Sequence, residues 1–216
     1  MSDLANVSSL LEAAPQLPLS WYFDPRVHAA EMAGLFANGP NYIGHELMVP
    51  NVGDYHVLDW MGKAKALVRN DKSIELLSNV CRHRQALMLD GRGSAKNIVC
   101  PLHRWTYDLK GSLLGAPHFE GNPCLHLKTT PLQNWNGLLF SGKRDVAKDL
   151  ARLGVAQDFD FSGYMLDRIM IDEYDFNWKT FIEVYLEDYH VQPFHPGLGG
   201  FVDLNDLKWE FSDCYN

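Results

Sequence analysis

Cys81-Arg-His83, sixteen residues, then Cys100-Pro-Leu-His103 is the pattern that most narrows what this chain can become. Two cysteines and two histidines arrive as matched pairs in a chain with only four Cys and nine His among 216 residues. At that composition the arrangement is expected by chance on the order of 10⁻³ times, counting all registers and tolerated gaps. The four side chains therefore hold something in common. Two thiolates and two neutral imidazoles suit a two-iron, two-sulfide centre in which imidazoles replace thiolates on one iron. That exchange removes negative charge and raises the reduction potential well above that of an all-cysteine cluster.

On this reading the motif is the ligand set of a Rieske [2Fe-2S] centre: Cys81 and Cys100 hold one iron, and His83 and His103 hold the other. Cys-x-His and Cys-x-x-His are short enough for each of two neighbouring loops to give one ligand to either iron. A Cys₂His₂ set also serves structural zinc, and that alternative stays open on ligand identity alone. The surroundings favour the cluster. Gly91, Gly93, Gly111 and Gly115 lie around the loops, and Trp105, Tyr107 and Phe119 offer apolar cover. A centre whose potential depends on burial and on hydrogen bonds to sulfur needs such a shell.

Hydrophobic residues make up 46% of the chain and charged ones 21%, which describes an ordinary globular protein. The net charge of −8 argues against a nucleic-acid partner. Arg26 is the first basic residue, so the N-terminus lacks the positive start of a signal peptide. No apolar run approaches the ~18 residues of a membrane span. Neither export nor a membrane is expected, and the expected location is cytoplasmic. Cys124 and Cys214 show no pairing pattern and are expected as free or packed thiols.

Three regions follow from the texture of the sequence. Residues 1–40 form an N-terminal lead-in with Pro-containing turns at Pro15 and Pro18 and a helix over Val27–Phe36. Residues 41–144 carry short β-type runs, IGHELMV, YHVLDW, KALVRN, SIELLSNV, CLHLKTT and GLLFSG, broken by Gly, Pro, Asn and Asp; this predicts a small antiparallel β domain holding both metal loops. DVAKDLARLG, Asp145 to Gly154, predicts a bridging helix. Residues 155–216 open with a predicted strand, YMLDRIMIDEYDF. A helix capped by Asn177 should follow, with Phe181, Val184 and Tyr185 on one face, and Pro193 and Pro196 ending regular helix.

That helix runs into a second pattern: His190 and His195 bracket Val-Gln-Pro-Phe, and Glu187 lies three residues before His190. Alone the pair is weak, since a His-x₄-His spacing arises by chance roughly 0.35 times in such a chain. Its weight comes from following the first motif. NWKTFIEVYLEDYHVQPFHPG closely resembles the mononuclear-iron segment of the large (alpha) subunit of Rieske non-haem iron ring-hydroxylating oxygenases, including the branch that oxidises quaternary amines. WYFDP, YIGHE, VPNVGDY and CPLHRWTYDLKGSL resemble the same family, so the likeness covers nearly the whole chain. The loops CRHRQAL and CPLHRW lack the additional cysteines of respiratory Rieske proteins.

The resemblance implies an α+β fold: an antiparallel β Rieske [2Fe-2S] domain followed by the incomplete start of a helix-and-sheet, helix-grip-like catalytic domain. His190 and His195 match the two histidines of a 2-His-1-carboxylate triad on Fe(II). Glu187 matches the carboxylate that bridges electron transfer from a neighbouring subunit's cluster. The third ligand, an aspartate, lies in the family well over a hundred residues farther on, and Asp203, Asp206, Glu210 and Asp213 are the late carboxylates available here. Gln85 stands where the family has glycine, and Val184 where it has asparagine. Also implied are oxygen and a small organic substrate, aromatic or quaternary amine, for hydroxylation or demethylation. Electrons would come from a separate NAD(P)H-dependent flavin/iron-sulfur reductase or ferredoxin, and the assembly would be a homotrimer. The other reading is a Rieske electron-transfer protein without oxygenase activity.

Overall fold

The computed structural model describes residues 17–202 and 208–215. The chain divides into two compact units, one drawn from Asn38–Asp172 with Trp209–Asn216, the other from Met1–Ala37 with Glu173–Lys208.

The larger unit is built on three antiparallel sheets. Strand β1 (Asn41–His45) pairs with β11 (Leu138–Ser141), which pairs with β10 (Gln133–Trp135). Strands β2 (Asp54–Val57), β3 (Lys65–Arg69), β4 (Ile74–Ser78), β5 (Arg92–Ser94) and β9 (Thr129–Thr130) form a five-stranded sheet in the order β5-β2-β3-β4-β9. Strands β6 (Ile98–Val99), β7 (Thr106–Tyr107) and β8 (Leu113–Gly115) form a small meander.

The five-stranded sheet is buried on both faces because its central strands are apolar at consecutive positions. Successive side chains of a strand point to opposite faces. Leu67 and Leu76, paired across β3 and β4, enter a core with Ile43, Val49, Leu58 and Leu139. Their neighbours Ala66, Val68 and Leu77 enter a second core with Ile98, Trp105, Tyr107, Leu113 and both motif cysteines. Each fully buried Leu or Val contributes roughly 1.5–3 kcal/mol. Gly111, at φ +86°, closes the turn between β7 and β8, where a Cβ would meet Leu127 and Leu77 side-chain atoms at 3.2 Å. At Gly93 a Cβ would lie 2.7 Å from the Tyr55 hydroxyl. Both glycines leave room that the second core fills.

The expected β texture is present, with shorter elements. IGHELMV starts as β1 but turns at Glu46 into a single 3₁₀ turn, since the His45 ring accepts the Leu47 N–H at 3.1 Å. YHVLDW ends as a strand at Val57, and CLHLKTT pairs only at Thr129–Thr130. DVAKDLARLG forms helix only at Val146–Asp149, where the Asp145 carboxylate accepts the Lys148 N–H. YMLDRIMIDEYDF forms no strand. Among the described residues no strand pairs with it, and a strand without a neighbour leaves its backbone groups unpaired.

In the smaller unit, Asp24 caps the helix Pro25–Glu31, which continues as a π-type turn through Met32–Phe36. Asn177 caps the helix Trp178–Tyr185 as expected, accepting the Lys179 N–H at 3.1 Å. The two helices are joined by a polar clamp. Lys179 Nζ lies 2.7 Å from a Glu31 carboxylate oxygen, with side-chain exposures of only 6% and 12%. Trp178 Nε1 donates to the other Glu31 oxygen at 3.0 Å, Asn177 donates to the Tyr22 carbonyl, and the Tyr22 hydroxyl donates to Glu183. The expected apolar face lies elsewhere: Phe181 and Tyr185 touch ring to ring but are exposed, as is Val184. Regular helix ends at Tyr185, before either proline. Pro193 sits inside a short helix, Val191–Phe194, in the first turn where its missing N–H is not needed. No helix among the described residues is long and apolar enough to cross a membrane.

Candidate functional site

The two motif loops are near copies of each other. Cys81 N–H donates to the Ala86 carbonyl at 2.9 Å, and Gln85 N–H donates to the Cys81 carbonyl at 3.1 Å. Cys100 N–H donates to the Trp105 carbonyl at 2.8 Å, and Arg104 N–H donates to the Cys100 carbonyl at 3.0 Å. In each turn the residue four places after the cysteine is left-handed, Gln85 at φ +58° and Arg104 at φ +61°. A non-glycine residue there costs roughly 1 kcal/mol, and both turns carry it.

Each turn is fixed to the sheets. The first is closed at its base by the Val80–Leu87 bridge, and the second joins β6 to β7. Asn79, fully buried, braces the first: its side-chain amide donates to the Lys63 and Leu89 carbonyls, and its oxygen accepts the Leu89 N–H, all at 2.9 Å. Sequence reading did not single out Asn79; an Asn two residues before a ligand cysteine was the only available signal.

The turns bring the predicted ligands together, the cysteines buried and the histidines half-buried. Cys81 and Cys100 are buried, and neither forms a disulfide. The His83 and His103 rings lie 4.7 Å apart between centroids; Trp105 stacks on His83 at 5.0 Å, with Phe119 edge-on at 5.8 Å. Trp105 and Phe119 are thus the cover expected of them. Tyr107 does more than cover. Its oxygen accepts the Arg82 N–H at 3.2 Å and lies 3.7 Å from Cys81 Sγ, so the hydroxyl proton is free to point at the sulfur. Burial, and then the cysteine sulfurs, push the Tyr107 hydroxyl well above its ordinary pKa and keep that proton on oxygen.

His83 Nδ1 is buried and has no hydrogen-bond partner among the described residues. A buried polar atom left so costs about 1–3 kcal/mol, a cost that an iron on that nitrogen would remove. Burial first, then His103 and Arg84, lower the His83 pKa and favour the neutral imidazole that can ligate. The donor set and the orphaned nitrogen together fit a Rieske cluster.

The second set lies in the smaller unit. Glu187 Oε1 and His190 Nδ1 are 2.5 Å apart, and the His190 N–H donates to Glu187 Oε2 at 3.3 Å. This leaves His190 Nε2 for a metal. The His190 and His195 rings lie 5.3 Å apart at 81°. Burial pushes the Glu187 carboxyl up, but the hydrogen bonds from His190 outweigh it and hold the group below its ordinary value. Among the described residues no three His, Cys, Asp or Glu side chains converge on one metal position. Glu210 is engaged in the larger unit, accepting the Gly154 N–H at 2.9 Å and the Tyr215 hydroxyl at 2.8 Å. Asp203 and Asp206 lie outside the described residues, and Asp213 is exposed. The pair fits two positions of a facial triad.

Comparison with known proteins places both segments in matched domains. A family model described as the Rieske [2Fe-2S] domain matches residues 40–134, and one described as the ring hydroxylating alpha subunit (catalytic domain) matches residues 150–216. A putrescine 2-hydroxylase of Ralstonia nicotianae is 65% identical over the whole of this chain, which spans 59% of that protein's length. One from Bordetella bronchiseptica is 50% identical, with 54% of its length spanned. Among solved structures, a quaternary ammonium Rieske monooxygenase in complex with L-carnitine superposes with a TM-score of 0.73 at 26% identity, covering 91% of this chain and 60% of the other. The matched turns, the buried cysteines with the orphaned His83 Nδ1, and these likenesses converge on a chain that joins a Rieske [2Fe-2S] domain to part of the catalytic domain of a ring hydroxylating alpha subunit.

Proposed function

We propose that Cys81, Cys100, His83 and His103 hold the [2Fe-2S] cluster of an oxygenase alpha subunit, and that His190 and His195 are two ligands of its mononuclear iron. The observation that carries this reading is the orphaned His83 Nδ1, on a ring 4.7 Å from that of His103, in matched turns whose cysteines are both buried. When bound, the cluster supplies one-electron transfer and Fe(II) supplies open positions for oxygen, the chemistry needed to hydroxylate an organic substrate. The chain's own residues would do the rest. Trp105 and Phe119 keep water from His83. Tyr107 directs its proton at the Cys81 sulfur, and Glu187 fixes the His190 tautomer with Nε2 free. Glu187 would also be the electron bridge to a neighbouring copy's cluster. The boundaries that go with this are a Rieske domain over residues 41–144 and a catalytic part over 155–216.

The substrate class we infer is a protonated aliphatic diamine, rather than an aromatic ring or a quaternary amine. Two relatives at 65% and 50% identity are named for 2-hydroxylation of putrescine, whereas the carnitine monooxygenase oxygenase subunit of Escherichia coli stands at 29%. Oxygen and a separate NAD(P)H-dependent reductase, flavin or iron-sulfur, would complete the reaction, in a cytoplasmic homotrimer with electron transfer between subunits.

Metal content tests the reading. About two irons and two acid-labile sulfides per chain, with red-brown colour, are expected for the cluster, and a third iron after Fe(II) addition for the second site. A colourless, zinc-loaded protein would refute the cluster assignment. Two irons with no ferrous site would favour the electron carrier without oxygenase activity. Putrescine-dependent oxygen uptake with a reductase present, against none with benzoate or carnitine, tests the substrate class.

A further inference from the structure

His45 ends strand β1 and caps the turn that follows it. The ring Nδ1 accepts the Leu47 N–H at 3.1 Å, and the His45 N–H meets Met48 Sδ at 3.4 Å, so that each end of the Glu46–Met48 turn is held by a side chain from the other. An acceptor at Nδ1 leaves the ring proton on Nε2. Nε2 is buried and has no hydrogen-bond partner among the described residues. Gly137 closes that side, where a Cβ would lie 2.8 Å from Nε2. The ring also packs against Phe161, at 4.6 Å between centroids and 78° between planes.

Phe161 lies in Phe159–Tyr164, which forms neither helix nor strand and is held by side chains. Phe159 packs on Trp135 of β10 at 5.3 Å, Phe161 packs on His45 of β1, and just upstream the Asn136 side chain donates to the Ala156 carbonyl at 3.1 Å. These contacts tie the chain to the β1-β11-β10 sheet before it reaches Glu173, where the smaller unit resumes.

The His45 site accommodates one protonation state. An imidazolium carries a proton on both nitrogens. Its Nδ1–H would face the Leu47 N–H, and its Nε2–H would still lack an acceptor. The titratable groups on the elements around the ring are Glu46 in the turn, Arg69 of β3, and Asp160 and Tyr164 in the segment; β10 and β11 contribute none. Glu46 Oε2 accepts from the Asn134 amide at 2.9 Å and lies 4.0 Å from Arg69, and Asp160 accepts the Ser162 N–H at 2.9 Å. Burial, against an opposing pull from Glu46, holds the His45 pKa below its ordinary 6.5.

We propose that His45 is a proton-operated latch that fixes residues 156–164 to the β domain when neutral and releases them when protonated. The neutral ring caps the Glu46–Met48 turn and seats Phe161. A proton taken up from solvent at Nδ1 removes the acceptor of the Leu47 N–H, so the ring leaves its place and the turn and the segment loosen together. Because the folded value is the lower one, the latched state is favoured above about 6.5, and that contribution is lost as pH falls through the folded value.

The test is amide hydrogen exchange on the whole chain from about pH 7.5 to about pH 5.5, with rates corrected for the intrinsic effect of pH. Protection at Leu47 and across residues 156–164 should fall together by several-fold, within the roughly tenfold per pH unit that one proton allows. His45→Asn keeps a side-chain acceptor for the Leu47 N–H but takes up no proton, so its protection should not vary with pH. Flat protection in the wild type overturns the proposal. So does an unaltered pH dependence in His45→Asn, which would place the titration at another group. Should that variant fold poorly, nitrogen NMR of the wild type decides: the His45 ring should carry its proton on Nε2 at the higher pH and gain one on Nδ1 as protection falls. A proton on Nδ1 at the higher pH, or ring titration with no loss of protection, overturns the latch.

Discussion

Tyr107 combines two features that a sequence keeps apart, a buried aromatic body and a hydroxyl 3.7 Å from the Cys81 sulfur. Removing only the hydroxyl isolates the second. Tyr107→Phe should keep the cluster and its colour but lower its reduction potential by roughly 40 mV, the one-electron equivalent of about 1 kcal/mol of lost hydrogen bond. A redox titration followed by visible circular dichroism reads the change, and an unaltered potential would show that the O–H does not reach the sulfur. Asn79→Ala deletes three hydrogen bonds from a buried site. It should cost about 2–3 kcal/mol in urea unfolding and reduce cluster yield, because the first turn loses its brace. At this scale the candidate ligand set was legible, since Cys and His are rare and their spacing is a local code. Asn79 and the left-handed Gln85 were not, because their roles are set by backbone that arrives from elsewhere in the fold.

Between elements, the Lys179–Glu31 clamp decides how the Trp178–Tyr185 helix is held. Breaking one partner of a buried ion pair leaves an uncompensated charge, so Glu31→Gln or Lys179→Met should each destabilise the smaller unit by about 3–5 kcal/mol. The double replacement should cost less than either single change, and Trp fluorescence during denaturation measures all three. The hydrogen bond from Lys179, and then that from Trp178, hold the Glu31 carboxyl below its ordinary value against the opposing effect of burial. A carboxyl depressed in the folded state stabilises it fully above its unfolded value of about 4.5, and the contribution is lost as pH falls through the lower, folded value. Acid unfolding of this unit should therefore begin below about pH 4.5, and Glu31→Gln should flatten that limb of the pH–stability curve. The helix and its Asn177 cap were legible from local pattern. The clamp joins residues nearly 150 positions apart, which no window of sequence displays. The strand expected at YMLDRIMIDEYDF failed for the complementary reason: alternation describes a side-chain pattern, and a strand also requires a neighbour to pair with.

Across the molecule, the distribution of apolar surface is uneven. Met165, Tyr189 and Phe201 are 90%, 86% and 91% exposed, while the cores around the five-stranded sheet are sealed. Exposed apolar groups at that density favour association, so sedimentation velocity on this chain should show mass rising with concentration. A strictly monomeric species at high concentration would contradict that. The α+β class, with its β domain and partial catalytic region, was readable from texture and motif. The division of residues between units was not, because residues 17–37 join a unit whose other part begins at Glu173.

The five-stranded sheet sends alternate residues of β3 and β4 into different cores, and only one of those cores contains the motif cysteines. It acts as a bulkhead, with the redox chemistry sealed in one compartment. Damage to the other compartment, such as Leu139→Ala at about 2–5 kcal/mol, should bring melting to a lower temperature without altering the colour of the protein below it.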